Sequence, residues 1–213
     1  MHFKYLLFTI FIFLSAANII SIKKGSKLWQ HITKPLLMPV LLLAYLLIAS
    51  SPNIFIISAL IFGFLGDVFL MFADNFFIPG LFSFLMGHLF YTIAFIRSIH
   101  FLEIPFAFYI SVLPYIFFGL YVSKKLLPYI KSMKYQVLLY LIFILAMSFS
   151  GLLRAWNINS CQFWLPYIGS LLFIISDSTL AFNKFKAEIK NGGVYIMLTY
   201  TAAQLLIVLG FAV

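Results

Sequence analysis

The sequence predicts an all-α membrane protein of eight transmembrane helices, and three observations predict it. Of its 213 residues, 64% are hydrophobic and only 9% are charged, with a mean hydropathy of +1.11. A soluble domain carries about a quarter charged residues, and no water-soluble core could hide so much apolar surface. The apolar residues also fall into eight runs, each close to the roughly 20 residues that cross a bilayer. Finally, the lysines gather in alternate gaps between those runs, as membrane topology demands.

The runs are 5–22, 35–51, 54–73, 78–97, 104–122, 135–153, 163–182 and 194–212. The first follows Lys4 without a small-residue cleavage site, so it is expected to remain as a span. The second opens on Lys34 and Pro35, and proline suits the first turn of a helix. The third holds GFLGDVFLM and the fourth LMGHLFY. The fifth closes on Lys124 and Lys125. The sixth closes on Arg154, which with Trp156 and Trp164 is expected to anchor the outer interface. The seventh reads FIISDSTLAFNKF and the eighth LTYTAAQLLI. The gaps leave no room for a soluble domain, so 1–213 is expected to be one integral-membrane domain, monomeric or dimeric.

With eight spans, one side carries Lys23, Lys24, Lys27, Lys34, Lys124, Lys125, Lys131, Lys134, Lys184, Lys186 and Lys190. The other carries Lys4, Arg97 and Arg154. The rule places the lysine-rich loops in the cytoplasm and both termini outside, in a bacterial inner membrane. The net charge of +9 is thus read as topology, not as a nucleic-acid surface. The single cysteine, Cys161, excludes an intramolecular disulfide.

A weak internal repeat pairs GDVFLMFADNF with SDSTLAFNKF, and LMGHLFY with LTYTAAQ. It suggests two parallel four-helix repeats about an axis along the membrane normal. Such a repeat would make Asp67 and Asp177 equivalent.

These two acids carry the chemical interest. Of the five acids, Asp74, Glu103 and Glu188 fall in loops or at span ends, where they are expected to be solvated. Asp67 and Asp177 lie inside apolar runs. An unpaired carboxylate there costs at least about 2.5 kcal/mol, so an intramembrane acid points to function by default. Each precedes the lysine-rich end of its span by seven residues, roughly 10 Å of helix. At equal depth they could meet in one cavity. The structural alternative is that each bonds a hydroxyl on a neighbouring helix and fixes packing. His88 and Tyr91 share a face of span four, and Gly80 and Gly87 would let another helix come close. Tyr200 and Gln204 form a similar pair on span eight. Lys34 either binds a lipid phosphate or obeys the positive-inside rule. Asn183 and Lys184 end span seven within two turns of Asp177, where a headgroup would lie near the acids.

The sequence lacks a Cys/His metal cluster, H-E-x-x-H and G-x-S-x-G, and no metal or organic cofactor is expected. Two acids, a histidine and a few hydroxyls suit proton-transfer chemistry. Neighbouring carboxylates commonly share a proton. One can then act as general acid while the other orients water, the logic of glycoside hydrolysis. A bond just below the lipid headgroups would be the target, and a lysolipid has one there.

GDVFLM, GHLFY, SDSTLAFNKF, YTAAQLLI and the earlier KPLLMP, in that order and spacing, resemble the YhhN/TMEM86 family of eight-span membrane proteins. The resemblance covers about 34–207. It implies a lysoplasmalogenase, hydrolysing the vinyl ether of a lysophospholipid to a fatty aldehyde and glycerophosphoethanolamine or glycerophosphocholine. It also implies Asp67 and Asp177 as the catalytic pair. Lys34, His88, Tyr91, Asn183, Lys184, Tyr200 and Gln204 are the pocket-lining candidates it implies.

Three rivals stand beside this reading. A proton- or cation-coupled transporter would use the same acids, with helices broken near them, although neither span has a proline there. An intramembrane aspartyl protease is disfavoured because G-F-L-G-D has one residue too many for G-x-G-D, and its partner motifs are missing. A lipid-binding protein would bind lysolipid without consuming it.

Overall fold

The computed structural model describes residues 2–99, 104–130, 133–158 and 161–212. Glu103 and Lys131 lie outside these residues, as do the side chains of Lys4, Asp74 and Cys161. The described residues form helices α1 (His2–Lys23), α2 (Lys27–Ile48), α3 (Ile54–Met71), α4 (Ala73–Ile96), α5 (Leu113–Leu126), α6 (Lys134–Ile158), α7 (Cys161–Phe185) and α8 (Gly192–Ala212). All eight spans are long and apolar enough to cross a membrane, the fifth by joining α5 to its flanking 3₁₀ turns (Phe106–Tyr129). No strand occurs among the described residues.

Local signals place most of the helix ends. Gly25 closes α1 in the left-handed region (φ 68°), and Ser26 N–H donates to the Ser21 carbonyl at 2.9 Å, the arrangement that satisfies orphan carbonyls. Asn53 caps α3, its side chain accepting from Phe55 N–H at 2.9 Å. α4 departs from helical geometry at Phe76 (φ −118°, ψ 19°). The cause is Pro79, which lacks an N–H and crowds the Asn75 carbonyl one turn back.

Two expected boundaries move. α2 begins at Lys27, not at 35, so Pro35 and Pro39 lie inside the helix. Lysines normally mark a loop, but a helix running past the lipid boundary can hold Lys27 and Lys34 on its wet turns. The fifth span starts as a 3₁₀ segment, Phe106–Val112, before α5.

The core joins Leu37, Leu41 and Tyr45 of α2, Ile56 and Leu60 of α3, Phe95 of α4, Met147 of α6, Phe173 of α7 and Ile207 of α8. The broadest contacts are α3 with α4 and α7 with α8. Their close approach rests on small residues. A Cβ added at Gly169 would lie 2.8 Å from the Ala203 carbonyl oxygen. Gly80 and Gly87 likewise face α3, against Leu70 and Ala59. The halves differ in their first pair: α1 packs broadly on α2, whereas α5 rests lightly on α6.

Arg154, expected as an outer-interface anchor, packs into the protein. It is 3% exposed, with its guanidinium 4.2 Å from the Phe163 ring centroid and 4.1 Å from that of Phe211. Flanking aromatics give a buried guanidinium a cation–π environment. Trp156 is exposed and stacks on Phe108.

Candidate active site

Asp67 and Asp177 both point inward, but each has its own partners. α3 carries Asp67 into the bundle one turn from its end, and the side chain is almost fully buried. Lys34 of α2 pairs with its Oδ1 at 3.4 Å. Tyr200 of α8 donates to its Oδ2 at 2.8 Å. Gln204, one turn further along α8, receives the Tyr91 hydroxyl hydrogen bond and lies 3.5 Å from the Tyr200 hydroxyl. Lys34, Tyr91, Tyr200 and Gln204 therefore form one polar string around Asp67. It closes tightly because Gly63 leaves space: a Cβ there would lie 3.1 Å from Gln204 Nε2.

Asp177 sits two turns from the end of α7. Tyr140 of α6 donates to its Oδ2. His88 of α4 reaches the same oxygen through Nε2 at 3.0 Å, and the Tyr140 hydroxyl at 2.9 Å. His88 Nδ1 has no partner among the described residues. One carboxylate oxygen, one imidazole nitrogen and one phenol thus meet in a small hydrogen-bonded triangle. Tyr140 was not singled out from the sequence. Its only signal there is a tyrosine in an apolar run, which is commonly interfacial.

The two acids interact electrostatically, but no hydrogen bond joins them among the described residues. The expected proton shared directly between carboxylates is replaced by two separate clusters. Aromatic rings bridge these clusters. Phe173 packs edge-on against both His88 and Tyr200, at centroid distances of 5.0 and 5.7 Å. Phe84 packs edge-on against Tyr200 at 5.8 Å.

The acids also differ in access. Asp67 is sealed, whereas the Asp177 side chain is 12% exposed. Asp177 lines two clefts of about 40 Å³ each, room for water rather than for a lipid. One cleft shares Ser123, Leu138 and Leu141 with an apolar groove of about 460 Å³ between α5 and α6. The other shares Leu70, Phe77 and Leu180 with a polar cavity of about 260 Å³ at the lysine-rich end. Lys34, Lys184, Asn183, Asn18 and Gln30 line that cavity. Lys184 lies over the Phe77 ring at 5.2 Å. Asn183 also has a structural task, accepting from Ile189 N–H at 2.7 Å in the α7–α8 turn. No group of three or more His, Cys, Asp or Glu able to hold a metal occurs among the described residues.

An eight-span helical bundle with a polar site near one end defines an integral membrane protein. The chain belongs to the YhhN family, whose profile matches residues 29–211. It is 33% identical over 176 residues to human lysoplasmalogenase TMEM86B, covering 81% of this chain and 71% of that protein. It is 30% identical over 164 residues to bovine lysoplasmalogenase TMEM86A and 31% to the human TMEM86A, covering 75% of this chain. The chain spans 65% of the length of each TMEM86A relative. No solved structure matches the chain.

Proposed function

We propose that this protein is a lysoplasmalogenase that hydrolyses the vinyl ether bond of lysoplasmalogens within the membrane. One observation carries the reading: a row of neighbouring spaces that share wall residues, with Asp177 lining the two at its middle. The polar cavity lies on one side and the α5–α6 groove on the other. With the two water-sized clefts at Asp177 opened to admit it, a lysolipid laid along this line puts its headgroup beside Lys34 and Lys184 and its chain in the groove. The vinyl ether, which joins glycerol to chain, then falls at Asp177. The relatives named lysoplasmalogenase support the same activity.

The chemistry follows from the residues. The Asp177 carboxyl gives its proton to the vinyl carbon distal to oxygen, forming a C–H bond. The adjacent carbon becomes an oxocarbenium ion. Water adds to that carbon, and its proton returns to the Asp177 carboxylate. The hemiacetal loses its hydroxyl proton, the glycerol oxygen gains one, and the carbon–oxygen bond breaks. One water is consumed, and an aldehyde and a glycerophospho-alcohol leave. His88 and Tyr140 orient the Asp177 carboxyl and relay its proton. Lys34 offsets the charge of Asp67 until the substrate phosphate draws that lysine away, and the carboxylate then stabilises the oxocarbenium ion. Continuous helices through both acids favour this fixed site over a transporter's broken helices.

Purified protein incubated with lysoplasmenyl-ethanolamine should release free aldehyde over time. Folded wild type that releases none, yet moves ions in proteoliposomes, would turn the assignment to transport.

A further inference from the structure

Asn18 brings α1 into the polar cavity. The residue is fully buried and lines that cavity beside Gln30, Lys34 and Lys184. Its Nδ2 lies 2.8 Å from Thr33 Oγ1. Thr33 in turn donates its only hydroxyl hydrogen to the Trp29 carbonyl at 2.7 Å. A hydroxyl has one hydrogen to give, so Thr33 Oγ1 must accept from Asn18. That fixes the amide orientation, which is otherwise ambiguous. The remaining atom, Asn18 Oδ1, is an acceptor with no partner among the described residues. A buried acceptor left bare is costly, and a charged donor gives it the strongest available bond. Gln30 uses its Nε2 on the Ser21 carbonyl at 3.4 Å, which leaves its own oxygen to accept.

The wall of the cavity therefore holds two lysines and, at Asn18, a buried amide acceptor with no partner among the described residues. A phosphate suits the first and an N–H cation suits the second. We propose that this cavity is a headgroup site that selects a phosphate bearing a primary ammonium, phosphoethanolamine, over phosphocholine. The choline nitrogen carries three methyl groups and no hydrogen, so it leaves Asn18 Oδ1 unpaired. The inference rests on the lysoplasmalogenase reading and adds headgroup selection to it. Asn18 precedes the residues matched by the family profile, 29–211, so the family match says nothing of it.

The test separates selection from turnover by using lysolipids with a saturated ether chain, which hold no vinyl ether to cleave. Binding of the ethanolamine and choline forms to the detergent-solubilised chain is measured by native mass spectrometry. The wild type should bind the ethanolamine form about tenfold more tightly, the scale of one hydrogen bond from a charged donor. In Asn18→Leu the ratio should fall to within about twofold of unity. Glycerophosphoethanolamine, which lacks the chain, is run as a soluble competitor. Displacement by it and not by glycerophosphocholine extends the selection to a free headgroup. Equal binding of the two lysolipids by wild type overturns the proposal and leaves Asn18 Oδ1 to a water. This wild-type comparison stands even where the leucine variant does not fold. A ratio that persists in folded Asn18→Leu overturns it too. Aldehyde release is assayed separately, so loss of the enzymatic reading and loss of the headgroup site are told apart.

Discussion

Asp177→Asn keeps the size of the side chain and removes its acid. Turnover of lysoplasmenyl-ethanolamine should drop at least about 100-fold, the scale of general acid catalysis, with the elution profile in detergent intact. Tyr140→Phe should lower kcat several-fold while KM holds, since the phenol orients the carboxyl and not the lipid. Unchanged kcat in both variants would remove Asp177 from the chemistry. The Asp67 cluster behaves differently, because its ion pair is buried. Lys34→Met alone leaves the buried carboxylate without its counter-charge, a cost of about 3–5 kcal/mol. The Lys34→Met/Asp67→Leu double variant should recover most of that stability in thermal unfolding, and additive losses would argue against a coupled pair.

Among the elements, α3 and α4 meet where a glycine gives way to a ring. A Cβ at Gly66 would come within 2.7 Å of the Phe84 ring. Gly66→Val should lower the unfolding temperature by several degrees, with overpacking costing about 1–3 kcal/mol, and Phe84→Ala in the same chain should restore part of the loss. A valine accepted without cost would mean that the helices are further apart. These elements also show what the sequence holds. Eight apolar runs locate the helices, because lipid forces each backbone to satisfy its own hydrogen bonds within a span. The start of α2 was hidden because Lys27 and Lys34 look like a loop when read without the cavity that Lys34 lines. The cost of burying Asp67 and Asp177 made them legible, and the glycines beside His88 forecast its helix contact. Tyr140 was illegible, since nothing in YQVLLYLIF separates a site phenol from an interfacial one. That Asp67 and Asp177 would keep separate partners was equally out of reach, because it depends on which helices lie between them.

Over the whole molecule, the lysine-rich ends of the helices set the orientation expected from the sequence. In a Cys161→Ser background, a cysteine at Arg97 should react with a membrane-impermeant thiol reagent on intact cells, and one at Lys125 should react only after lysis. The reverse pattern would invert the topology and place the headgroup cavity on the outer face. The catalytic line also crosses the weakest seam of the bundle. α5 is the span with the least buried surface, 11% of its window against 22–44% for the others, and it forms one wall of the groove assigned to the chain.

One acid is sealed under Lys34 while the other faces the clefts, and this imbalance has a traffic consequence. Asp177 borders both clefts, and Asp67 lines neither. In the proposed reaction, the water that completes hydrolysis and the aldehyde that must depart both pass on the Asp177 side. A long-chain aldehyde that lingers there obstructs the next water and the next lipid together. In the proposed cycle, product clearance into the surrounding bilayer is the step expected to set the pace once bond cleavage is fast.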